Sequence, residues 1–170
     1  MNRVITARPL TRQNFAEFGD VIDTEGSLHY PINDGRTERF HALARAEAAG
    51  PNGHVLISIV RGTPYSFPLQ LAMVERHPFG SQAFMPLTGR PFLVVVCHDG
   101  EDGPGLPHAF VTRPGQGVNY PRNLWHAVLT PIGKAQDFLV VDRGGDGANL
   151  EECHFSHPWE IRLPEEFGNA

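Results

Sequence analysis

The sequence is short of the features that mark most binding and membrane classes. It has only two cysteines, Cys97 and Cys153, and two isolated thiols build neither a disulfide framework nor a zinc knuckle. Lysine is nearly absent: Lys134 stands alone, beside Gly133 in an expected loop, which argues against a catalytic lysine. Basic residues number 14 against 19 acidic, a net charge of −5 with histidine neutral. No basic surplus exists to neutralise a phosphate backbone, so no nucleic-acid partner is expected. No apolar run approaches the length of a membrane span, and the opening stretch from Met1 to Arg8 lacks the apolar segment of a secretory signal. Internal repeats and low-complexity tracts are also missing. A cytoplasmic protein with no membrane partner is the expectation.

What is present suits one domain over the 170 residues, with 41% hydrophobic and 19% charged residues, a globular balance. The 18 glycines and 15 prolines are too many for long helices and suggest short strands joined by turns. One helix is expected near the start, capped by Thr11, with Phe15 and Phe18 on one face and Gly19 at its end. A second is expected over 41–49, stopped by Gly50-Pro51. The β-rich runs Val55 to Val60, Leu69 to Glu75, Phe92 to Cys97 and Phe138 to Val141 read as strands. Phe92 to Cys97 is apolar throughout, as a strand covered on both faces would be, which makes Cys97 a buried hydrophobe. Turn signals at Asp99-Gly100, Asp102-Gly103-Pro104-Gly105 and Pro114-Gly115 divide the segments. The fold class is all-β with minor helices, a β-sandwich or barrel.

Nine histidines are many for this length. His29, His54, His98, His108, His154 and His157 lie beside turn signals or at strand edges and need no special role. His77 and His126 have more telling neighbours. In Glu75-Arg76-His77-Pro78-Phe79-Gly80-Ser81-Gln82, Glu75 and His77 are two apart and share a strand face. A turn at Pro78-Phe79-Gly80 can return Gln82 opposite them, and buried polar groups so gathered need each other, a metal or a ligand. In Gly115 to His126, a Pro-x-Asn turn containing Asn123, a residue that tolerates left-handed backbone, delivers His126 to the next strand.

These residues resemble the two motifs of the cupin superfamily. Glu75, His77, Gln82 and Gly89 stand at the spacing of the first motif, and Gly115, Pro121, Asn123 and His126 at that of the second. Leu69, Glu75, Gln82 and Thr130 depart from the usual residue types. A closer resemblance runs along nearly the whole chain. Ile32-Asn33-Asp34-Gly35, Glu38-Arg39-Phe40-His41, Glu75-Arg76-His77-Pro78, Gln82-Ala83-Phe84, Gln116-Gly117-Val118-Asn119-Tyr120, Arg122-Asn123-Leu124-Trp125-His126 and Asp142-Arg143-Gly144-Gly145 are similar, in the same order, to segments of the ureidoglycolate lyase (ureidoglycolate hydrolase) family. Ala127 stands where members often carry a second histidine.

The resemblance implies a cupin-type β-barrel, a double-stranded β-sandwich or jelly roll. It also implies cleavage of (S)-ureidoglycolate to glyoxylate and urea in allantoin breakdown, a divalent metal, with nickel the family's usual association, and a homodimer. Glu75, His77, Gln82 and His126 are then the candidate catalytic residues and metal ligands. Held there, a metal would act as a Lewis acid on the substrate hydroxyl; without it, Glu75 or a histidine would be the general base. The substrate carboxylate calls for a guanidinium. Arg61 and Arg143 are the candidates, with Arg39 behind them, while the pleat aims Arg76 at the opposite face. Asn33, His41 and Asn119 are candidate ureido contacts. Two other readings fit the fold: hydrolysis of the ureido amide with release of ammonia, and a non-catalytic small-molecule-binding cupin.

Overall fold

The computed structural model describes residues 3–167, so Met1 and Asn2 of the opening stretch lie outside the described residues. The larger sheet has eight strands: β1 (Val4–Thr6), β2 (Arg8–Pro9), β7 (Leu69–Arg76), β9 (Phe92–Gly100), β10 (Gly103–Val111), β12 (Trp125–His126), β13 (Thr130–Pro131) and β15 (Glu151–Arg162). Their order is β1-β15-β7-β12-β9-β10-β2, with β13 paired to β9. The second sheet runs β3-β11-β8-β14-β6, from β3 (Asp20–Ile22), β6 (His54–Gly62), β8 (Gln82–Pro86), β11 (Gly117–Tyr120) and β14 (Gln136–Gly144). A separate hairpin joins β4 (His29–Ile32) to β5 (Thr37–Phe40). The helices are α1 (Arg12–Phe15) and a 3-10 turn, Glu165–Phe167. This is the expected cupin-type arrangement, all-β with minor helices.

The two sheets close on a shared apolar core. Val94 and Val96 of β9 meet Phe84, Val118, Phe138 and Val140 of the second sheet. The alternate residues Leu93, Val95 and Cys97 join Leu71, Ala109, Trp125 and Ile161 in a second cluster. Strand β9 is therefore covered on both faces, which is why its sequence does not alternate. Each such side chain contributes about 1.5–3 kcal/mol on burial. Cys97 packs as one of these hydrophobes, its thiol pushed up to about 12 by burial.

Helix α1 begins as expected: the Thr11 hydroxyl accepts from the Asn14 N–H, and the Asn14 side chain accepts from the Thr11 N–H. It is shorter than expected, although Phe15 and Phe18 are both buried. The helix expected over 41–49 is not formed. Ala42 has a positive φ of 50°, and the segment lies extended against 79–81. Ala49 N–H donates to Phe79 O, Ser81 N–H to Glu47 O, and Glu47 N–H to the Ser81 hydroxyl. A nine-residue helix is marginal alone, and these tertiary bonds outweigh its propensity. The turn signalled at Asp102-Gly103-Pro104-Gly105 does divide two strands, at 101–102, although β10 already starts at Gly103, with a register shift between Pro104 and Pro107. Gly80 shows how tightly this end is built, since a Cβ there would lie 2.3 Å from Cβ of Arg143.

Candidate active site

The site is assembled by register. His126 of β12 pairs directly with Glu75 of β7 and with Val96 of β9. Since Val96 is an inter-sheet core residue, Glu75 and His126 face inward too. His77 follows β7, and its carbonyl accepts from the Asn123 N–H. Asn123 sits at φ 63°, the left-handed turn that brings the chain back onto β12. Gln82 comes from the facing sheet, where it pairs with Tyr120 of β11. The polar groups thus converge from two sheets rather than from one hairpin.

Glu75, His77 and His126 offer ligand atoms all within 4.8 Å of one another, a possible metal-binding group among the described residues. The His77 and His126 rings are 5.2 Å apart, and Glu75 Oε1 lies 3.8 Å from His77 Nε2. The hydrogen bonds fix which ring nitrogen faces the backbone. His77 Nδ1–H donates to the Asn149 carbonyl at 2.7 Å, and His126 Nδ1–H to the Ala127 carbonyl at 3.1 Å. A carbonyl only accepts, so each Nδ1 carries the proton, and the neutral form of either ring presents its lone pair at Nε2. Both Nε2 atoms, and Gln82 Oε1 as well, are buried without a hydrogen-bond partner. Buried orphaned acceptors of this kind are costly, and two imidazole nitrogens, a carboxylate and an amide oxygen form a donor set that fits a borderline divalent cation.

Electrostatics agree with that chemistry. Burial holds the His126 pKa down at about 3, keeping the ring neutral, and the Tyr120 ring stacks on it at 4.5 Å. Burial also raises the Glu75 carboxyl, an effect His77 partly counters and Glu152 reinforces. Beside His77 and Gln82 lies a cavity of about 290 Å³, lined also by Ser81, Asp142, Arg143, Asn149 and Leu150. A depression of about 310 Å³ elsewhere, beside Arg12, Asp23, Glu25 and Arg113, has its charges already matched, Arg113 pairing with both Asp23 and Glu25.

The other sequence candidates are scattered. Arg61 is 75% exposed on β6 and pairs with Asp137 through two hydrogen bonds, on the strand face away from Val60 and the core. Arg143 lines the cavity, yet its Nε and Nη2 donate to the carbonyls of Ala49, Pro51 and Asp146. Asn33 lies in the β4–β5 turn with its amide on the Thr37 hydroxyl, and Arg39 is exposed on β5. His41 sits at the hairpin base near Tyr30, its Nδ1 buried and unpartnered. Asn119 pairs with Ala83, opposite in parity to Tyr120, and its amide donates to Asp20 and the Arg45 carbonyl. It lies behind the second sheet, under the 41–49 segment. Arg76 points outward as expected, pairing with Glu151 and Asp99 and lying over the Trp125 ring.

Three residues at the site carried no role in the sequence reading. Tyr120 packs the back of His126, Asn149 holds His77, and Asp142 lines the cavity. Asp142 had a readable signal, because it continues the inward stripe Phe138, Val140 along β14. Asn149 had none, since its part is played by a backbone carbonyl.

The chain matches the family described as ureidoglycolate lyase over residues 2–162. A Mesorhizobium japonicum protein named ureidoglycolate lyase is 74% identical over 160 residues, covering 94% of this chain and 98% of that protein. One of the same name from Chelativorans sp. is 63% identical over 163 residues, 96% of this chain and 99% of that one. "Ureidoglycolate lyase 2" of Rhizobium meliloti is 54% identical over 154 residues, 91% of this chain and 94% of that one. Among solved structures, a dTDP sugar isomerase from Desulfovibrio desulfuricans superposes with a TM-score of 0.43 at 16% identity, over 76% of this chain and 85% of the other. With a match across nearly its whole length and relatives this similar, the chain belongs to the ureidoglycolate lyase family.

Proposed function

We propose that the protein is a ureidoglycolate lyase that cleaves (S)-ureidoglycolate to glyoxylate and urea, as a step of allantoin breakdown. The observation that carries this reading is the set of buried, unpartnered acceptor atoms on His77, Gln82 and His126 beside Glu75, next to a cavity that His77 and Gln82 line, in a chain of that family.

The reaction needs little from the protein beyond placement and one travelling proton. The substrate hydroxyl loses its proton and its oxygen becomes the aldehyde oxygen of glyoxylate. The C–N bond breaks with its electron pair on nitrogen, and that nitrogen takes a proton to complete urea. One carboxyl can perform both transfers, so that no net proton is gained or lost. Without a bound metal, Glu75 is suited to it, since burial raises its carboxyl above the usual carboxylate range. His126, held neutral, keeps a lone pair and no proton on the site side. Arg143, the guanidinium among the described cavity-lining residues, keeps Nη1 outside its three carbonyl bonds and is the candidate for the substrate carboxylate.

Glu75, His77, Gln82 and His126 would hold a divalent ion, for which the donor set favours nickel over a hard cation such as calcium. Bound there, the ion supplies Lewis-acid stabilisation of the developing alkoxide. The protein works as a homodimer in the cytoplasm in this reading. No helix among the described residues is long and apolar enough to cross a membrane.

The test is product identity. Incubation with (S)-ureidoglycolate is expected to yield urea and glyoxylate in equal amounts. Ammonia in place of urea would replace the lyase by an amide hydrolase, and absence of turnover with nickel supplied would leave a binding protein.

A further inference from the structure

The cavity holds a second carboxylate that the bond-breaking step does not use. Asp142 lies on β14 two residues beyond Val140, whose side chain is in the inter-sheet core; strand alternation therefore turns Asp142 inward. It lines the same cavity as His77 and Gln82. It stands apart from the Glu75, His77 and His126 ligand group. Burial raises its carboxyl and the neighbouring His77 lowers it. It has no side-chain hydrogen-bond partner among the described residues.

We propose that Asp142 is the specificity-determining residue that accepts hydrogen bonds from the ureido N–H groups of the substrate. A ureido group presents two N–H bonds side by side, and a carboxylate has two oxygens spaced to accept them. The same negative charge disfavours the substrate carboxylate at that position, so Asp142 holds the ureido end and leaves the carboxylate to Arg143. Selection works by difference: an analogue with no N–H donors leaves Asp142 desolvated and unpaired, the kind of mismatch that rejects a wrong substrate most strongly.

This inference rests on the lyase reading but is tested by ligands that bind without reacting. Urea and glyoxylate, the two product halves, are used as separate competitors against wild type, Asp142→Asn and Asp142→Ala. Both variants are expected to weaken urea binding at least about tenfold and to raise KM for ureidoglycolate similarly. Glyoxylate should bind as well as before or more tightly, because a repelling charge has gone. A merely structural role would weaken both halves together, and that result, or urea binding within twofold of wild type, would overturn the proposal. Calorimetric binding of urea to the wild-type holoenzyme keeps the test independent of turnover, so failure of the lyase reading is distinguishable from failure of this one.

Discussion

His126 sits where three constraints meet. Tyr120 stacks on one side, Nδ1 is committed to a backbone carbonyl, and burial forbids a charge. The consequence for stability has a definite sign. The unfolded ring takes a proton near its ordinary value of 6.5, whereas the folded ring refuses one until about 3. Folded stability is therefore complete above 6.5 and is lost as pH falls through that window, by at most about 1.4 kcal/mol per pH unit. Glu75 acts in the opposite sense: its raised carboxyl favours the folded form at low pH and loses that contribution as pH rises through its folded pKa. Melting curves of metal-stripped protein should fall in midpoint from pH 6.5 downward, and His126→Gln should flatten that dependence. An equally steep fall in the variant would show that the buried ring is not its source.

At the scale of elements, the site depends on segments with little regular structure of their own. The loop following β14 reaches back so that the Asn149 carbonyl holds His77 while its side-chain oxygen accepts from the Phe79 N–H. Asn149→Ala removes the second bond and loosens the first, so nickel affinity measured by calorimetry is expected to drop about 10-fold or more, as such outer contacts to a ligand do, with Asp142 and the core untouched. Unchanged affinity would mean that His77 is oriented by the strand alone. This dependence also explains what could be read in the sequence. The strands around Val94, Val140 and Leu71 announce themselves because apolar period and burial coincide, and that around Ile57 is legible from its β-branched residues although its outer face is exposed. His77 and His126 are legible because the turn residues Pro78 and Asn123 set their spacing. The 41–49 segment is not, because its alanines favour helix locally while its backbone bonds belong to residues 79–81. Asn119 and Arg143 are polar residues near motif positions, yet strand parity and three carbonyls respectively commit them to holding that segment and the neighbouring turns.

For the whole molecule, the outer side of the second sheet is the surface that most needs an explanation. Strand β6 lies at the sheet edge and exposes Ile57 at 74% and Ile59 at 65%, on the face that also carries Arg61. An apolar edge strand of nine residues is the kind of surface that a second copy covers. If the homodimer uses this face, Ile57→Asp should shift sedimentation to the monomer while leaving the barrel folded, and an undisturbed dimer would place the interface elsewhere. The larger sheet gathers Glu75, His77 and His126, with Gln82 brought in from the facing sheet. The most direct measurement is the rate of urea release from (S)-ureidoglycolate by His126→Ala beside wild type, with matched melting curves and nickel supplied to both. Loss of about 100-fold or more in kcat/KM, with the fold retained, is the predicted result; turnover within twofold of wild type would contradict it.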